Sequence, residues 1–302
     1  MADTALHALL AGAVDYAGLF PPAGLPMASA VAQYAEYRAG PDAWALGRFV
    51  VPMARLAELG RAAEEVAPKA PGEPWRLSAL LGANAEEELR SLGEFNCRHA
   101  AAEAVALSAD VIEGKAETVE AVERLLAAVP PWAQPYVEVP LADDPRPLVD
   151  AIAQHGGRAK MRTGGITPEA FPTASQILRF LRACTDARVP FKATAGLHHP
   201  LRAEYRLTYE ADSPHGTMFG YLNVFLTAVL LRHGLSEPDA LALLEERSPA
   251  AFRFSRDAAE WRGHRADRRA IEEARREGIV AFGSCSFTEP VGEIRAMRTI
   301  GR

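Results

Sequence analysis

Short runs rich in β-forming residues alternate with stretches of helical periodicity along most of this chain. Between most of the runs, apolar residues recur at helical spacing, as at Val119, Val122 and Leu126. The predicted strands span residues 14–20, 48–52, 76–81, 102–107, 136–140, 158–162, 190–195 and 279–283. Eight alternating strand and helix units are typical of a (β/α)8 barrel. We therefore predict an α/β fold in which residues 1–302 form a single barrel domain.

A doubly wound open sheet is the alternative fold. Sheets of that kind that bind dinucleotides carry a Gly-x-Gly-x-x-Gly turn between a strand and a helix, and none of the predicted strands is followed by one. A length of 302 residues exceeds the usual single domain, but α/β barrels commonly reach it. The barrel is therefore the preferred prediction.

One segment, residues 197–278, breaks the alternation between the seventh and eighth predicted strands. Its later part has the periodicity of helices over residues 218–233, 236–246 and 266–277, and Ser236 is a suitable N-cap for the second of them. Connections that follow barrel strands begin at the catalytic face. We predict a long helical insertion, which is either a lid over an active site or a packing or oligomer element on the outer ring.

Composition excludes several classes of partner. A net charge of -6 disfavours nucleic acid, and neither a spanning apolar run nor a positively charged leader is present. The three cysteines, Cys97, Cys184 and Cys285, lack paired spacing, which indicates a reducing compartment without disulfides. We expect a cytoplasmic protein with a small-molecule substrate and without nucleic-acid or membrane partners, and the sequence is compatible with a homo-oligomer.

Lysine is rare in this chain, and its placement is informative. Only four of the 33 basic residues are lysines, and two of them, Lys160 and Lys192, lie in adjacent predicted strands. A lysine can lose its proton and act as an amine nucleophile, which arginine cannot do. Strand periodicity places Arg162 on the same face as Lys160, and Thr194 on the same face as Lys192. The simpler interpretation is that each lysine is a surface residue or half of a buried ion pair.

If both lysine faces point inward, two amines and a guanidinium share a small volume. Each cation disfavours protonation of its neighbours, and partial burial acts in the same direction. At least one amine could then be a nucleophile near neutral pH, as a Schiff-base enzyme requires.

These lysine strands resemble a known family. Lys160 followed by Thr163-Gly164, and Phe191-Lys192-Ala193 ending in Ala195-Gly196, look like the two adjacent lysine strands of deoxyribose-phosphate aldolase and its class I aldolase relatives. The run 281–286 is similar to the Gly-Ser-rich end of that family's last strand.

The resemblance implies a role for each of these residues. Lys160 would form the Schiff base, and Lys192 would lower the pKa of Lys160 and shuttle protons. Glu103 would stand in place of the family's acidic proton-transfer residue, and Glu138 is a further candidate for moving protons. The expected activity is that of a carbon–carbon lyase acting on a small anionic or polyhydroxylated carbonyl compound, with no dissociable cofactor.

One departure from the family concerns substrate recognition. The glycine pair that helps hold substrate phosphate is replaced by Gly196-Leu197-His198-His199. Glycine-rich amides and the Arg162 guanidinium could still bind an anion. The expected substrate-binding residues are Asp15, Arg162, Thr163, Gly164, Gly165, Thr194, His198, His199, Ser284 and Ser286.

Two other functions remain open from the sequence. His198, Glu138 and Asp15 could bind a divalent metal in a barrel hydrolase or isomerase. Alternatively, the barrel is a non-catalytic binding protein whose two lysines are neutralised by Glu103 and Glu138.

Overall fold

The computed structural model describes residues 4–101 and 103–300. The first seven strands are β1 (Val14–Tyr16), β2 (Leu46–Pro52), β3 (Trp75–Leu80), β4 (Leu107–Lys115), β5 (Gln134–Glu138), β6 (Arg158–Arg162) and β7 (Phe191–Thr194). They are followed by β8 (Ala203–Arg206), β9 (His215–Met218), β10 (Phe252–Phe254), β11 (Ala258–Trp261), β12 (His264–Asp267) and β13 (Ile279–Ser284).

The helices lie mainly between these strands. They are α1 (Ala5–Leu10), α2 (Met27–Ala39), α3 (Leu56–Ala63), α4 (Ala85–His99), α5 (Val119–Ala128), α6 (Arg146–Gln154), α7 (Ala174–Asp186), α8 (Tyr221–Leu231), α9 (Glu237–Leu244), α10 (Arg268–Glu277) and α11 (Thr288–Ile300). Within the described residues, no helix is both long enough and apolar enough to cross a bilayer.

The strands β1 to β7 and β13 close into an all-parallel barrel. Their order around it is β1-β13-β7-β6-β5-β4-β3-β2, and β1 pairs with both β13 and β2 to complete the circle. Helices follow each of the eight strands and cover the barrel from outside. The prediction of a (β/α)8 barrel is confirmed.

Strand alternation separates the two faces of each barrel strand. On β6 and β7, Met161, Phe191 and Ala193 are buried in the apolar layer between strands and helices. Their neighbours Lys160 and Lys192 point into the barrel, since successive side chains alternate between faces. This alternation delivers polar side chains to the barrel interior without disturbing the core.

Side-chain caps fix where several helices begin. Thr173 and Gln176 form a reciprocal capping box at the start of α7. The Ser236 side chain accepts a hydrogen bond from the Asp239 amide at the start of α9, as its sequence context predicts.

The insertion between β7 and β13 contains helices and small sheets. The predicted helices correspond to α8, α9 and α10, and each is a few residues shorter than predicted. The insertion also contains strands that were not predicted: β8 and β9 pair as a hairpin, and β10, β11 and β12 form an antiparallel sheet.

The predicted fourth strand is also wrong. Residues 103–106 form a turn and an extended approach to β4, whereas β4 itself begins at Leu107, and Ala102 lies outside the described residues. Glu103 is exposed with a φ of 65°, a left-handed conformation that a strand excludes. The acids Asp110 and Glu113 interrupt the apolar pattern of the true strand and conceal it.

Candidate active site

The two lysines lie side by side inside the barrel. Lys160 on β6 is the register partner of Lys192 on β7, so their backbones are directly adjacent. Lys160 is 5% exposed and Lys192 1% exposed. Ammonium groups buried to this degree require compensating charges.

Glu113 of β4 supplies the central compensation. Its Oε2 lies 2.8 Å from Nζ of Lys160, and its Oε1 forms an ion pair with Nζ of Lys192. The carboxylate is itself 3% exposed. One buried carboxylate therefore bridges both amines.

Two further carboxylates flank this bridge. Glu138 of β5 places Oε2 2.7 Å from Nζ of Lys160, and Asp15 of β1 accepts a hydrogen bond of 3.1 Å from Lys192. The other Asp15 oxygen accepts from the backbone amide of Arg48 at 2.8 Å. Three acids thus surround two lysines.

This arrangement changes the expected electrostatics of Lys192. Burial alone would disfavour its ammonium form, but the carboxylates of Glu113 and Asp15 outweigh burial and raise its pKa. Burial likewise opposes ionisation of Glu113, but the ammoniums of Lys160 and Lys192 outweigh it and lower the pKa of that carboxyl. Because acids surround it, Lys192 is not an amine whose pKa is lowered by the crowding of cations.

Ser78 and Tyr136 complete the surroundings of Lys192. The Ser78 hydroxyl donates to Glu113 at 2.6 Å and accepts from Lys192 at 3.3 Å. The Lys192 ammonium lies 5.0 Å from the centroid of the Tyr136 ring, within cation–π range. Lys192 is thus held by four neighbouring side chains.

A cavity of about 290 Å³ opens above the cluster and receives the Lys160, Lys192 and Glu113 side chains. It lies at the carboxyl ends of the strands, where α/β barrels bind their ligands. The remaining residues that line it are Ala17, Phe20, Pro21, Pro22, Val50, Leu80, Arg162, Gly165, Ile166, Thr194, Ala195, Gly196, His198, Gly283 and Cys285.

Several predicted binding residues lie at this cavity. Arg162, Gly165, Thr194 and His198 line it. Gly164 instead lines a neighbouring depression, which Arg162 also borders.

Thr163 has an internal structural contact. It is fully buried, and its hydroxyl donates to the backbone carbonyl of Ala195 at 2.5 Å. It therefore ties the end of β6 to the end of β7.

The two histidines after β7 have different surroundings. Nδ1 of His198 lies 3.2 Å from the Ser284 hydroxyl, 3.8 Å from the Cys285 thiol and 3.5 Å from a Glu289 oxygen. Burial opposes a charge on His198, but the interactions with Cys285 and Glu289 raise its pKa to about 9.

His199 contacts β8 and α11. Its Nδ1 lies 2.7 Å from Glu293, and its ring stacks on Tyr205 at a centroid distance of 3.5 Å. Tyr209, between β8 and β9, places its hydroxyl 3.6 Å from the Cys285 sulfur. The first part of the insertion thus contacts the rim of the cavity.

Other predicted residues lie away from the lysines. Ser284 is buried against His198, whereas Ser286 is hydrogen-bonded to Thr288 at 3.3 Å outside the cavity lining. Glu103 precedes β4 at the opposite end of the barrel from the cavity, so it cannot be the acid of this site. The fourth-strand acid that contacts both lysines is Glu113.

Sequence reasoning missed Glu113, Ser78 and Tyr136. An acid inside the apolar run Val111-Ile112-Glu113 was the available signal, since an unpaired carboxylate is rarely buried in a strand. Because the fourth strand was predicted at residues 102–107, Glu113 fell outside every predicted strand.

The proposed metal ligands are not gathered at one point. Among residues 4–101 and 103–300, no group of three or more His, Cys, Asp or Glu side chains has the geometry to hold a metal ion. Asp15 and Glu138 face the two lysines, and His198 faces Glu289.

The chain has little sequence or structural similarity to the known proteins with which it was compared. No protein-family model and no curated protein matches the sequence. The catalytic domain of a chitinase from Pyrococcus furiosus is 10% identical over 61% of this chain and 72% of that chain, with a TM-score of 0.35. A nitroalkane oxidase from Streptomyces ansochromogenes is 12% identical over 65% of this chain and 62% of that chain, with a TM-score of 0.34. Similarities this weak say nothing about the chemistry of this chain.

Proposed function

We propose that this protein is a carbon–carbon lyase of the class I aldolase type, which acts through a Schiff base on Lys160. The observation that carries the proposal is the Glu113 carboxylate bridging Lys160 and Lys192 at the base of a cavity. Buried ionisable clusters in a cleft are common at catalytic sites, because burial and charge tune proton transfer there. The resemblance of the two lysine strands to class I aldolases supports the same chemistry.

Lys160 is the better nucleophile of the two lysines. Lys192 is almost fully buried, and its raised pKa keeps it an ammonium at neutral pH. Beside Lys160, Oε2 of Glu138 is buried and accepts no aligned hydrogen bond from any residue that the structure describes, although the amine lies 2.7 Å away. That oxygen is placed to accept the proton that Lys160 must lose before it attacks.

The reaction begins when the neutral Lys160 amine adds to the substrate carbonyl. Lys192 donates a proton to the carbinolamine oxygen, which leaves as water and gives a protonated imine. Cleavage of the carbon–carbon bond then sends its electron pair into the imine, forming an enamine, while a base removes the proton of the β-hydroxyl group. Protonation of the enamine carbon and hydrolysis return the free amine.

Glu113 links the two lysines electrostatically during the reaction. Because it contacts both amines, it holds Lys192 charged next to the reacting nitrogen. Ser78 and Asp15 fix the position of Lys192, which makes proton donation directional.

Borohydride trapping tests the proposal. The protein is incubated with a panel of small aldehydes and oxo acids, reduced, and weighed as an intact chain. A reduced adduct adds the mass of the carbonyl compound less its oxygen atom. We expect adducts on the wild type and on a Lys69→Met control, which alters an exposed lysine elsewhere. Lys160→Met should form none.

Adduct formation that survives in Lys160→Met and is lost in Lys192→Met would move the imine to Lys192. Absence of adducts across the whole panel would overturn the proposal. In that case, turnover sensitive to chelators would favour the metal-dependent alternative, and a folded protein without turnover would favour a binding barrel.

A further inference from the structure

The two sides of the cavity differ in chemistry. In the barrel order, β6 lies directly opposite β2, with three strands between them on either side. Lys160 and Arg162 lie on the β6 side, and Val50 lies on the β2 side, next to Leu80 of β3. A ligand bound to Lys160 therefore reaches across the barrel toward β2 and β3.

The β6 side carries a cation available to a ligand. Arg162 is exposed at the cavity, and its guanidinium forms no ion pair with any residue in the described part of the chain. It lies two residues after Lys160 on one strand, a rise of roughly 6.6 Å on the same face. Both side chains line the same cavity, so one ligand can present a carbonyl to Lys160 and a carboxylate to Arg162.

His198 adds a second donor beside the same space. Its hydrogen bonds and its ion pair with described residues are made through Nδ1, and its ring lines the cavity. Burial opposes a charge on the imidazole, but its contacts with Cys285 and Glu289 raise its pKa. An anionic group is therefore favoured at this rim.

The opposite wall is apolar. It is formed by Phe20, Pro21 and Pro22 after β1, together with Val50 and Leu80. The side chains of these residues offer no hydrogen-bond partner to a hydroxyl group. A polyhydroxylated chain laid against this wall would leave its hydroxyls unpaired, whereas an alkyl or aryl group would gain from burial.

Resting on the proposed function, we infer that the substrate is a 2-oxo acid that bears an apolar substituent beyond the single β-hydroxyl group from which cleavage removes a proton. Its carboxylate adjoins the reacting carbonyl and binds Arg162, and its apolar substituent packs against Phe20, Pro21, Pro22, Val50 and Leu80. This narrows the substrate from the broader class of anionic or polyhydroxylated carbonyl compounds.

Three probes of one chain length test the inference. They are 2-oxohexanoate, its 4,5,6-trihydroxy derivative, and hexan-2-one, which lacks the carboxylate. Calorimetric titration of the wild type and of Lys160→Met measures binding with and without imine formation. We expect 2-oxohexanoate to bind at least about tenfold tighter than either of the other probes in both proteins. Hexan-2-one has no carboxylate for Arg162, and the trihydroxy probe places unpaired hydroxyls against the apolar wall.

Two variants assign the preference to the two walls. Arg162→Gln should bring 2-oxohexanoate and hexan-2-one to similar affinities, while the exposed control Arg90→Gln should not. Val50→Thr, which keeps the side-chain shape, should reduce the discrimination against the trihydroxy probe. The control Val66→Thr, at an exposed position, should leave it unchanged.

The outcomes separate the inference from the proposed function. Equal binding of the three probes, with borohydride adducts on Lys160, overturns the inference and leaves the lyase proposal standing. If Lys160→Met binds 2-oxohexanoate more tightly than the other two probes but the wild type forms no adducts, the cavity binds an apolar oxo acid and the lyase proposal is overturned.

Discussion

At the scale of single residues, Glu113 has the largest effect on the site. Replacing it with glutamine keeps its shape but leaves the Lys160 and Lys192 ammoniums with only their outer carboxylates. Removing one partner from a buried ion pair costs about 3–5 kcal/mol. We expect Glu113→Gln to lower the free energy of unfolding at pH 7 by about that amount and to slow imine trapping, as measured by urea titration and intact mass.

The effect of Glu113→Gln should depend on pH in a defined direction. Its pKa is lowered in the folded protein, so its stabilisation is complete above the unfolded value of about 4.3 and is lost as the pH falls below that value. The stability difference from the wild type should therefore be constant from about pH 6 to 8 and shrink below about pH 4. A difference that grows on acidification would contradict this account of the bridge.

His198 should show the opposite pH dependence. Its folded pKa of about 9 lies above the ordinary value of 6.5, so its stabilisation is complete below pH 6.5 and is lost as the pH rises through 9. Among the described residues, the titratable groups near it include Cys285, Glu289, Tyr209 and His199. His198→Gln should be destabilised at pH 6, on the order of 2 kcal/mol, and close to the wild type at pH 9.5 in urea titrations. A pH-independent difference would indicate that packing alone is lost.

At the scale of elements, the end of β7 is held in an unusual conformation. Ala195 and Gly196 have φ angles of 61° and 71°, which turn the chain after Thr194, at the wall of the cavity. A Cβ on Gly196 would lie 2.9 Å from the Phe171 ring and 3.0 Å from Gly164 Cα. Both the conformation and the space at this position therefore require glycine.

A matched pair of substitutions separates conformation from space. Gly156 has a φ of 68°, but a Cβ there would meet nothing within 4 Å. Gly156→Ala should cost about 1 kcal/mol from backbone strain, and Gly196→Ala about twice that or more because of the added contacts. Urea titration of both variants measures the two costs. Equal losses would show that the end of β7 shifts freely to make room.

The elements themselves were largely predictable from local pattern. The predicted range of β6 agrees with the structure, because its apolar and basic residues alternate cleanly between Gly157 and Thr163. The fourth strand was misplaced because Asp110 and Glu113 lie within it. The hairpin of β8 and β9 was missed because each of its strands is only four residues long and β9 does not alternate apolar with polar residues.

At the scale of the whole molecule, the barrel followed from the number and alternation of its elements, but the charge cluster did not. The cluster joins side chains from β1, β3, β4, β5, β6 and β7, which become neighbours only when the barrel closes. The sequence indicated the two lysines, because lysine is rare here. It did not indicate that Glu113 lies between them, which depends on the register of β4.

Locating the reduced adduct on the wild-type chain tests the central claim most directly. After incubation with 2-oxohexanoate and borohydride, the chain is digested and its peptides are mapped by mass. The four lysines, Lys69, Lys115, Lys160 and Lys192, fall in different parts of the sequence and are distinguishable. The account predicts the added mass on Lys160 and its absence from the other three. An adduct on the exposed lysines alone, or none at all, would contradict it.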